Sequence, residues 1–137
     1  MSLDPALIAR VAAIVAAVLF VALVAFQLAL ALGAPWGRAA YGGQSAELPT
    51  ALRVSSAVAV VVWSALALVV LRRAGVIGWS PLPDGWLPVA IWVVVALAAV
   101  AIVMNAITPS ALERAIWLPF AILLFASTLT VALAART

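Results

Sequence analysis

Four long apolar segments, separated by short stretches rich in polar residues, glycine and proline, make up most of the chain. They cover about 5–32, 49–71, 86–107 and 111–134. A helix needs about 20 mostly apolar residues to cross the hydrocarbon core of a bilayer, which is about 30 Å thick. The pattern therefore predicts an all-α, polytopic membrane protein, an antiparallel bundle of four transmembrane helices that forms a single domain over 1–137.

The ends of these segments carry residues typical of helix termini. Pro5, Pro49 and Pro88 fall where first helical turns are expected, at positions that do not need the missing N–H. Gly33 and Gly75 follow the first and second segments, as glycine commonly does after a helix. The local signals and the apolar pattern therefore place the helix ends consistently.

A short turn joins the third and fourth segments. Ser110 and Glu113 have the spacing of a capping box, in which the serine side chain accepts the amide of Glu113 and the carboxylate accepts the amide of Ser110. The link of about three residues, 108–110, leaves room only for two antiparallel neighbouring helices.

The composition excludes several kinds of chemistry. Apolar residues make up 69% of the chain and charged residues 8%, and there is no Cys and no His. Disulfides, thiol catalysis, histidine acid–base chemistry and the usual zinc or haem ligands are therefore absent. We expect no metal, no cofactor and no enzyme activity. Only Glu47 and Glu113 leave an opening for catalysis, as a carboxylate pair, if their two loops meet.

The basic residues are all arginines, and they lie near predicted helix ends. A sequence pI of about 11.2 is high enough to suggest nucleic acid in a soluble protein, but here we expect no nucleic acid partner, because these arginines suit topology signals and lipid headgroups. One side of the predicted bundle holds Arg10, Arg72, Arg73 and Arg136, and the other holds Arg38, Arg53 and Arg114. This bias, with the Arg72–Arg73 pair directly at a helix end, predicts both termini in the cytoplasm. The absence of Lys and the heavy use of Ala are typical of a GC-rich bacterial genome, so we expect the bacterial cytoplasmic membrane.

The most distinctive polar and aromatic residues gather at the predicted outer end. The candidate ligand-binding residues there are Gln27, Trp36, Arg38, Tyr41, Arg53, Asn105, Glu113 and Arg114. A glutamine within the hydrocarbon needs a hydrogen-bond partner and usually faces the bundle interior. Asn105 lies at a similar depth on the third helix, and we expect it to be the partner of Gln27.

Charge pairing at the same end is a second expectation. Arg38 and Arg53 are placed to pair with Glu47 and Glu113, because a bidentate guanidinium–carboxylate contact suits a partly dry interface. The glycines of the loop allow sharp turns that present backbone amides to an anion. The loop therefore has two interpretations: a binding site for a headgroup or anionic ligand, or a structural lid that seals the end of the bundle.

Two motifs at this end carry a resemblance. The loop GAPWGRAAYGG at 33–43 and the pattern NxxxPSxxER at 105–114 resemble those of a widespread family of small, uncharacterised four-helix bacterial membrane proteins. The resemblance extends over nearly the whole chain. It implies a shared bundle and a shared outer face, and it implies no substrate and no catalytic residue.

Several functions fit these observations. The leading hypothesis is a non-catalytic membrane protein that binds a lipid, a hydrophobic ligand or a partner membrane protein at its outer polar end. A small oligomeric transporter or channel subunit is an alternative, since the helix count and size resemble those of the small multidrug-resistance exporters. Those exporters use an intramembrane glutamate, and no acid lies at mid-depth here. Another alternative is an accessory subunit of a larger membrane complex. The expected partners are membrane lipids, another membrane protein or a second copy.

Overall fold

A computed structural model describes residues 2–135, and this part of the chain is helical with no strand. The helices are α1 (Pro5–Ala31), α2 (Thr50–Arg73), α3 (Leu87–Ile107) and α4 (Ala111–Ala134). The predicted all-α bundle of four helices is confirmed, and the predicted ends differ from the observed ones by at most two residues. Arg136, which contributes to the predicted topology, lies outside the described residues.

Glycines end the first two helices as expected. Gly33 and Gly75 have φ values of +97° and +70°, the left-handed conformation that glycine adopts without strain. Beyond Gly33, the Ala34 amide donates to the Ala29 carbonyl at 2.9 Å, which satisfies an acceptor left free at the helix end. Pro49 precedes the first residue of α2 instead of lying within its first turn, because it keeps an extended ψ of 158°.

The helices pack in an order that leaves one seam looser than the others. α1 packs closely against α2 and α4, and α3 packs closely against α4, whereas α2 and α3 contact each other less. Small residues allow the close approach of α1, since Ala9, Ala13 and Ala16 are fully buried along one face. The bundle is therefore tightest around α1 and α4 and loosest between α2 and α3.

All four helices are long and apolar enough to cross a membrane. Large apolar side chains cover their outward surfaces, as shown by Val18, Val61 and Val100, each more than half exposed. This is the architecture of a multi-pass membrane protein. We name the two ends by what they hold: the polar end carries the segment 32–49 and the turn 108–110, and the terminal end carries the start of α1, the end of α4 and the segment 74–86.

Candidate ligand-binding cavity

The segment between α1 and α2 folds over the polar end in an unusual conformation. Short 3-10 turns occupy Gly37–Ala39 and Tyr41–Gly43. Tyr41, Gly42 and Gly43 all have positive φ, of 49°, 82° and 70°. Such a conformation is strained for tyrosine, so surrounding contacts must hold it. One of them is the 2.9 Å hydrogen bond between the Tyr41 hydroxyl and Oγ of Ser56, a fully buried residue of α2.

Glu113 connects this segment to the turn between α3 and α4. Its Oε2 accepts hydrogen bonds from the Gly42 amide at 3.1 Å and from the Thr108 hydroxyl at 2.6 Å. A second connection runs from the Trp117 indole Nε1, which donates to the Ala39 carbonyl at 2.7 Å. The segment is therefore fixed to α4 by two side chains that lie about one turn apart on that helix.

The predicted capping box is half correct. Ser110 precedes α4, and its Oγ accepts the Glu113 amide at 3.1 Å, as expected. The reciprocal bond from the Ser110 amide to the Glu113 carboxylate is absent within residues 2–135, because the Thr108 hydroxyl takes that amide at 3.3 Å. The carboxylate is thus free to bind the loop instead of its own helix end.

The predicted ion pairs of Arg38 and Arg53 with Glu47 and Glu113 are wrong. Arg38 Nη1 donates to two carbonyls of its own loop at 3.1 Å each, and Arg53 Nε donates to the Ala31 carbonyl at 3.1 Å. The carbonyls in the last turn of a helix have no partner within the helix and carry partial negative charge, so they attract cations. These two arginines therefore stabilise the backbone of the polar end.

Arg114 has the same kind of role at the end of α3. Its Nη1 donates to the carbonyl of Thr108, the residue that follows α3, at 2.6 Å. As with the other two arginines of the polar end, its charge is directed at backbone oxygen and away from Glu113.

A cavity of about 280 Å³ lies beneath this segment, with walls from all four helices. For comparison, an apolar cavity of about 150 Å³ is large enough to bind benzene, and drug-sized ligands occupy about 300–1,000 Å³. Its lining is Leu23, Phe26, Gln27, Ala39, Ala40, Tyr41, Trp63, Ala98, Ala101, Asn105, Glu113, Trp117, Phe120, Ala121 and Leu124. The volume suits one small molecule or one hydrocarbon chain.

The lining is polar near the helix ends and apolar below. Gln27, Asn105 and Glu113 form a polar layer, at about 3–6 Å from the ends of their helices by the helical rise. Trp63 and Leu124 mark the apolar floor, about 20 Å from the same end of the bundle. The cavity is thus polar at one end and apolar at the other, like an amphiphilic molecule.

Among residues 2–135, no three His, Cys, Asp or Glu residues group as metal ligands would.

Gln27 and Asn105 line the same cavity, but the hydrogen bond predicted between them is wrong. Asn105 Nδ2 donates to the Ala101 carbonyl, one turn earlier in α3, at 2.8 Å. Such a local bond is always within reach of an asparagine on a helix, and it competes with partners on other helices. The buried Gln27 Oε1 is left without a hydrogen-bond partner among residues 2–135.

Aromatic rings form one wall of the cavity and are packed against one another. The Trp117 ring lies 4.7 Å from that of Phe26 and 5.1 Å from that of Phe120, in tilted and edge-on arrangements. Phe26 also stacks on Trp36 at 6.3 Å. The Trp117 indole is also hydrogen bonded to the Ala39 carbonyl, so both ring contacts and a hydrogen bond hold this wall in place.

The cavity brings together only part of the candidate residues. Gln27, Tyr41, Asn105 and Glu113 line it. The other four, which are Trp36, Arg38, Arg53 and Arg114, support the polar end from outside the lining. Sequence reasoning missed the aromatic wall and Trp63. The deep position of the Trp63 indole predicts a hydrogen-bond partner for its N–H, but within residues 2–135 that N–H makes no hydrogen bond, and Trp63 lines the cavity instead.

The unpartnered oxygen of Gln27 has a measurable consequence for stability. A buried polar atom without a partner destabilises a fold by about 1–3 kcal/mol. We therefore expect Gln27→Leu to raise the free energy of unfolding by about 1–2 kcal/mol in delipidated protein, measured by unfolding in mixed dodecylmaltoside and SDS micelles. Gln44→Leu, on the exposed loop, is the control and should leave it unchanged. A Gln27→Leu variant less stable than the wild type would mean that the amide is satisfied.

Comparison of the chain with protein-family models, with curated proteins and with solved structures found no match.

Proposed function

We propose that this chain is a non-catalytic small integral membrane protein that binds one amphiphilic molecule, a lipid or another hydrophobic ligand, in the cavity under its polar end. The observation that carries the proposal is the buried Gln27 Oε1, which has no hydrogen-bond partner in the described part of the chain, residues 2–135, and lies on the wall of a 280 Å³ cavity. A ligand with a hydrogen-bond donor at the polar layer and an apolar body toward the floor satisfies both features.

The energetics support a bound molecule. Leucine in place of Gln27 would fill a similar space without an unsatisfied oxygen, so the glutamine reduces the stability of the empty protein. A ligand donor removes that penalty and adds a hydrogen bond in an environment of low dielectric constant. Binding energy of this kind is specific for molecules that carry a donor next to an apolar chain.

The packing of the helices suggests how a ligand reaches the cavity. The seam between α2 and α3 is the loosest in the bundle, and both helices contribute to the lining through Trp63 and Asn105. We propose that a molecule dissolved in the bilayer moves in through this seam. We further propose a bacterial cytoplasmic membrane location with both termini in the cytoplasm, which places the cavity in the outer leaflet.

Filling the cavity tests the proposal. Ala101 lines the cavity on α3 and is only partly buried, so Ala101→Phe places a ring in the space without disrupting the packed centre of the bundle. We expect wild-type protein, extracted in a mild detergent, to retain one small molecule in native mass spectrometry, and Ala101→Phe to lose most of it. Reconstitution with total lipid extract should restore the adduct only in the wild type.

Ala96→Phe is the matched control, because Ala96 lies on the same helix, is exposed and does not line the cavity. It should retain the bound molecule as the wild type does. The proposal fails if the wild type carries no molecule even after reconstitution with lipid extract, or if Ala101→Phe and Ala96→Phe retain it equally.

A further inference from the structure

The cavity carries one formal charge, and that charge is negative. Glu113 is the only ionisable acid or base among the lining residues apart from the Tyr41 phenol. Its Oε2 is engaged by the loop, whereas Oε1 has no hydrogen-bond partner among residues 2–135. Within that part of the chain, the only salt bridge joins Arg72 to Asp84 at the terminal end. The carboxylate beside the cavity therefore has no cationic partner of its own.

Three donors of the lining are used within the protein, whereas the Trp63 indole N–H and the Gln27 amide nitrogen make no hydrogen bond within residues 2–135. The Trp117 indole N–H binds the Ala39 carbonyl, and the Tyr41 hydroxyl is paired with Ser56. Asn105 uses an amide hydrogen on its own helix. The buried atom that remains unsatisfied, Gln27 Oε1, is an acceptor. Within residues 2–135, the lining atom that is both fully buried and without a partner is therefore an acceptor, and it favours a ligand that donates a hydrogen bond.

The aromatic rings of the lining also favour a ligand with a positive charge. Rings of Phe26, Trp63, Trp117 and Phe120 line the cavity. The face of an aromatic ring attracts cations, by about 0.5–1 kcal/mol at exposed sites and about 2 kcal/mol when water is excluded. A ligand whose only charge is negative would meet the Glu113 carboxylate without gaining an attraction to the rings. The charge and the rings therefore favour a ligand with a positively charged group over one whose only charge is negative.

From these observations we infer that the cavity selects an amphiphile whose polar group is a protonated amine. This inference rests on the proposed function and specifies its ligand: the ammonium donates to Gln27 Oε1 and to the Glu113 carboxylate, and the hydrocarbon body lies against the aromatic wall. The ammonium belongs either to a free lipophilic amine or to the ethanolamine headgroup of a phospholipid, which share this chemistry.

The depth of the polar layer makes a charged ligand feasible. A charge at the centre of a bilayer is unfavourable by several kcal/mol. Glu113 is the third residue of α4, however, so it lies about one helical turn or less from the polar end. An ammonium there stays near the headgroup region while the tail extends toward Trp63. The carboxylate offsets part of the remaining loss of hydration.

Two probes of equal chain length and different headgroup test the inference. Decylamine and decanol are titrated into the protein in phosphatidylcholine nanodiscs, with empty nanodiscs as the correction for partitioning, and binding is followed by tryptophan fluorescence. A charge-assisted pair of hydrogen bonds should make the dissociation constant of decylamine about tenfold or more lower than that of decanol. In Glu113→Gln, which keeps an acceptor for the loop, this ratio should fall to within about threefold of one.

The source of the ammonium is resolved separately. Wild-type protein is reconstituted with equal amounts of phosphatidylethanolamine and phosphatidylcholine and analysed by native mass spectrometry. Retention of phosphatidylethanolamine over phosphatidylcholine identifies the headgroup as the source, and retention of neither lipid alongside preferential decylamine binding identifies a free amine.

Three results overturn the inference while leaving the proposed function intact: decanol binding as tightly as decylamine, a Glu113→Gln variant with the wild-type ratio, or retention of phosphatidylcholine over phosphatidylethanolamine. The proposed function itself fails in a different experiment: Ala101→Phe would then bind the probes and retain lipid as well as the control Ala96→Phe does. The ratio of the decylamine and decanol dissociation constants is measured in the wild type, so it tests the inference even if a variant fails to fold.

Discussion

Replacing Gly37 with alanine is expected to lower the free energy of unfolding by about 3 kcal/mol, the upper part of the range for an overpacked site. A Cβ on Gly37 would overlap the Ser45 carbonyl and would lie 2.8 Å from Leu48 Cδ2 and 2.9 Å from the Ala46 carbonyl. Two of these three neighbours are backbone atoms, and the Gly37 amide donates to one of them, Ala46, at 2.8 Å. The segment must therefore open to admit the methyl group.

The measurement is the midpoint of unfolding in mixed dodecylmaltoside and SDS micelles. Gly85→Ala is a matched control, because Gly85 also lies in a 3-10 turn and an added Cβ there meets nothing within 4 Å. It should shift the midpoint little. A Gly37→Ala variant as stable as Gly85→Ala would show that the segment 37–46 is not packed as described.

Replacing Glu113 with alanine is expected to lower the free energy of unfolding by about 2–3 kcal/mol. The substitution removes the acceptor of both the Gly42 amide and the Thr108 hydroxyl. A buried donor left unsatisfied destabilises a fold by about 1–3 kcal/mol, and these two part-buried donors fall toward the lower end of that range. It also removes a negative charge from the first turn of α4, where the helix dipole favours one. Glu113→Gln keeps an acceptor and should recover most of the loss.

Glu47→Ala is the control for the loss of a carboxylate at the same end of the bundle. Glu47 is exposed, and the bond it makes to Ser45 uses its backbone carbonyl, which the substitution preserves. Limited proteolysis gives a second readout, since Glu113→Ala frees the segment 37–46 for cleavage and Glu47→Ala leaves it protected. Equal stability of the two variants would contradict the role of Glu113 in fixing the segment.

Much of the fold follows from local features of the sequence. The helices, the glycine ends of α1 and α2 and the serine cap of α4 depend on residues within a few positions of one another. The apolar length of each segment fixes a helix because a membrane leaves no other way to satisfy the backbone. Reasoning from sequence therefore located these elements to within two residues.

The partners of the polar side chains were not predictable in the same way. Arg38 and Arg53 were expected to bind carboxylates, but each lies beside helix-end or loop carbonyls that need donors. Sequence gives the charge of a side chain and not the position of the unsatisfied backbone oxygens around it. Glu113, 71 positions from Gly42 in the chain, found its partner only because the loop folds over α4.

The sequence by itself determined that this chain has four helices long and apolar enough to cross a membrane, and a polar end at which its unusual residues collect. Only the tertiary structure decided that α2 and α3 are loosely packed and that aromatic rings line the same cavity as the polar layer. It also decided that Gln27 has an oxygen beside this cavity with no hydrogen-bond partner among residues 2–135. The physical reason is that these helices are apolar on all sides. In a bilayer the hydrophobic effect does not choose which face of such a helix packs inward, so small-residue fit and hydrogen bonds between distant segments make that choice.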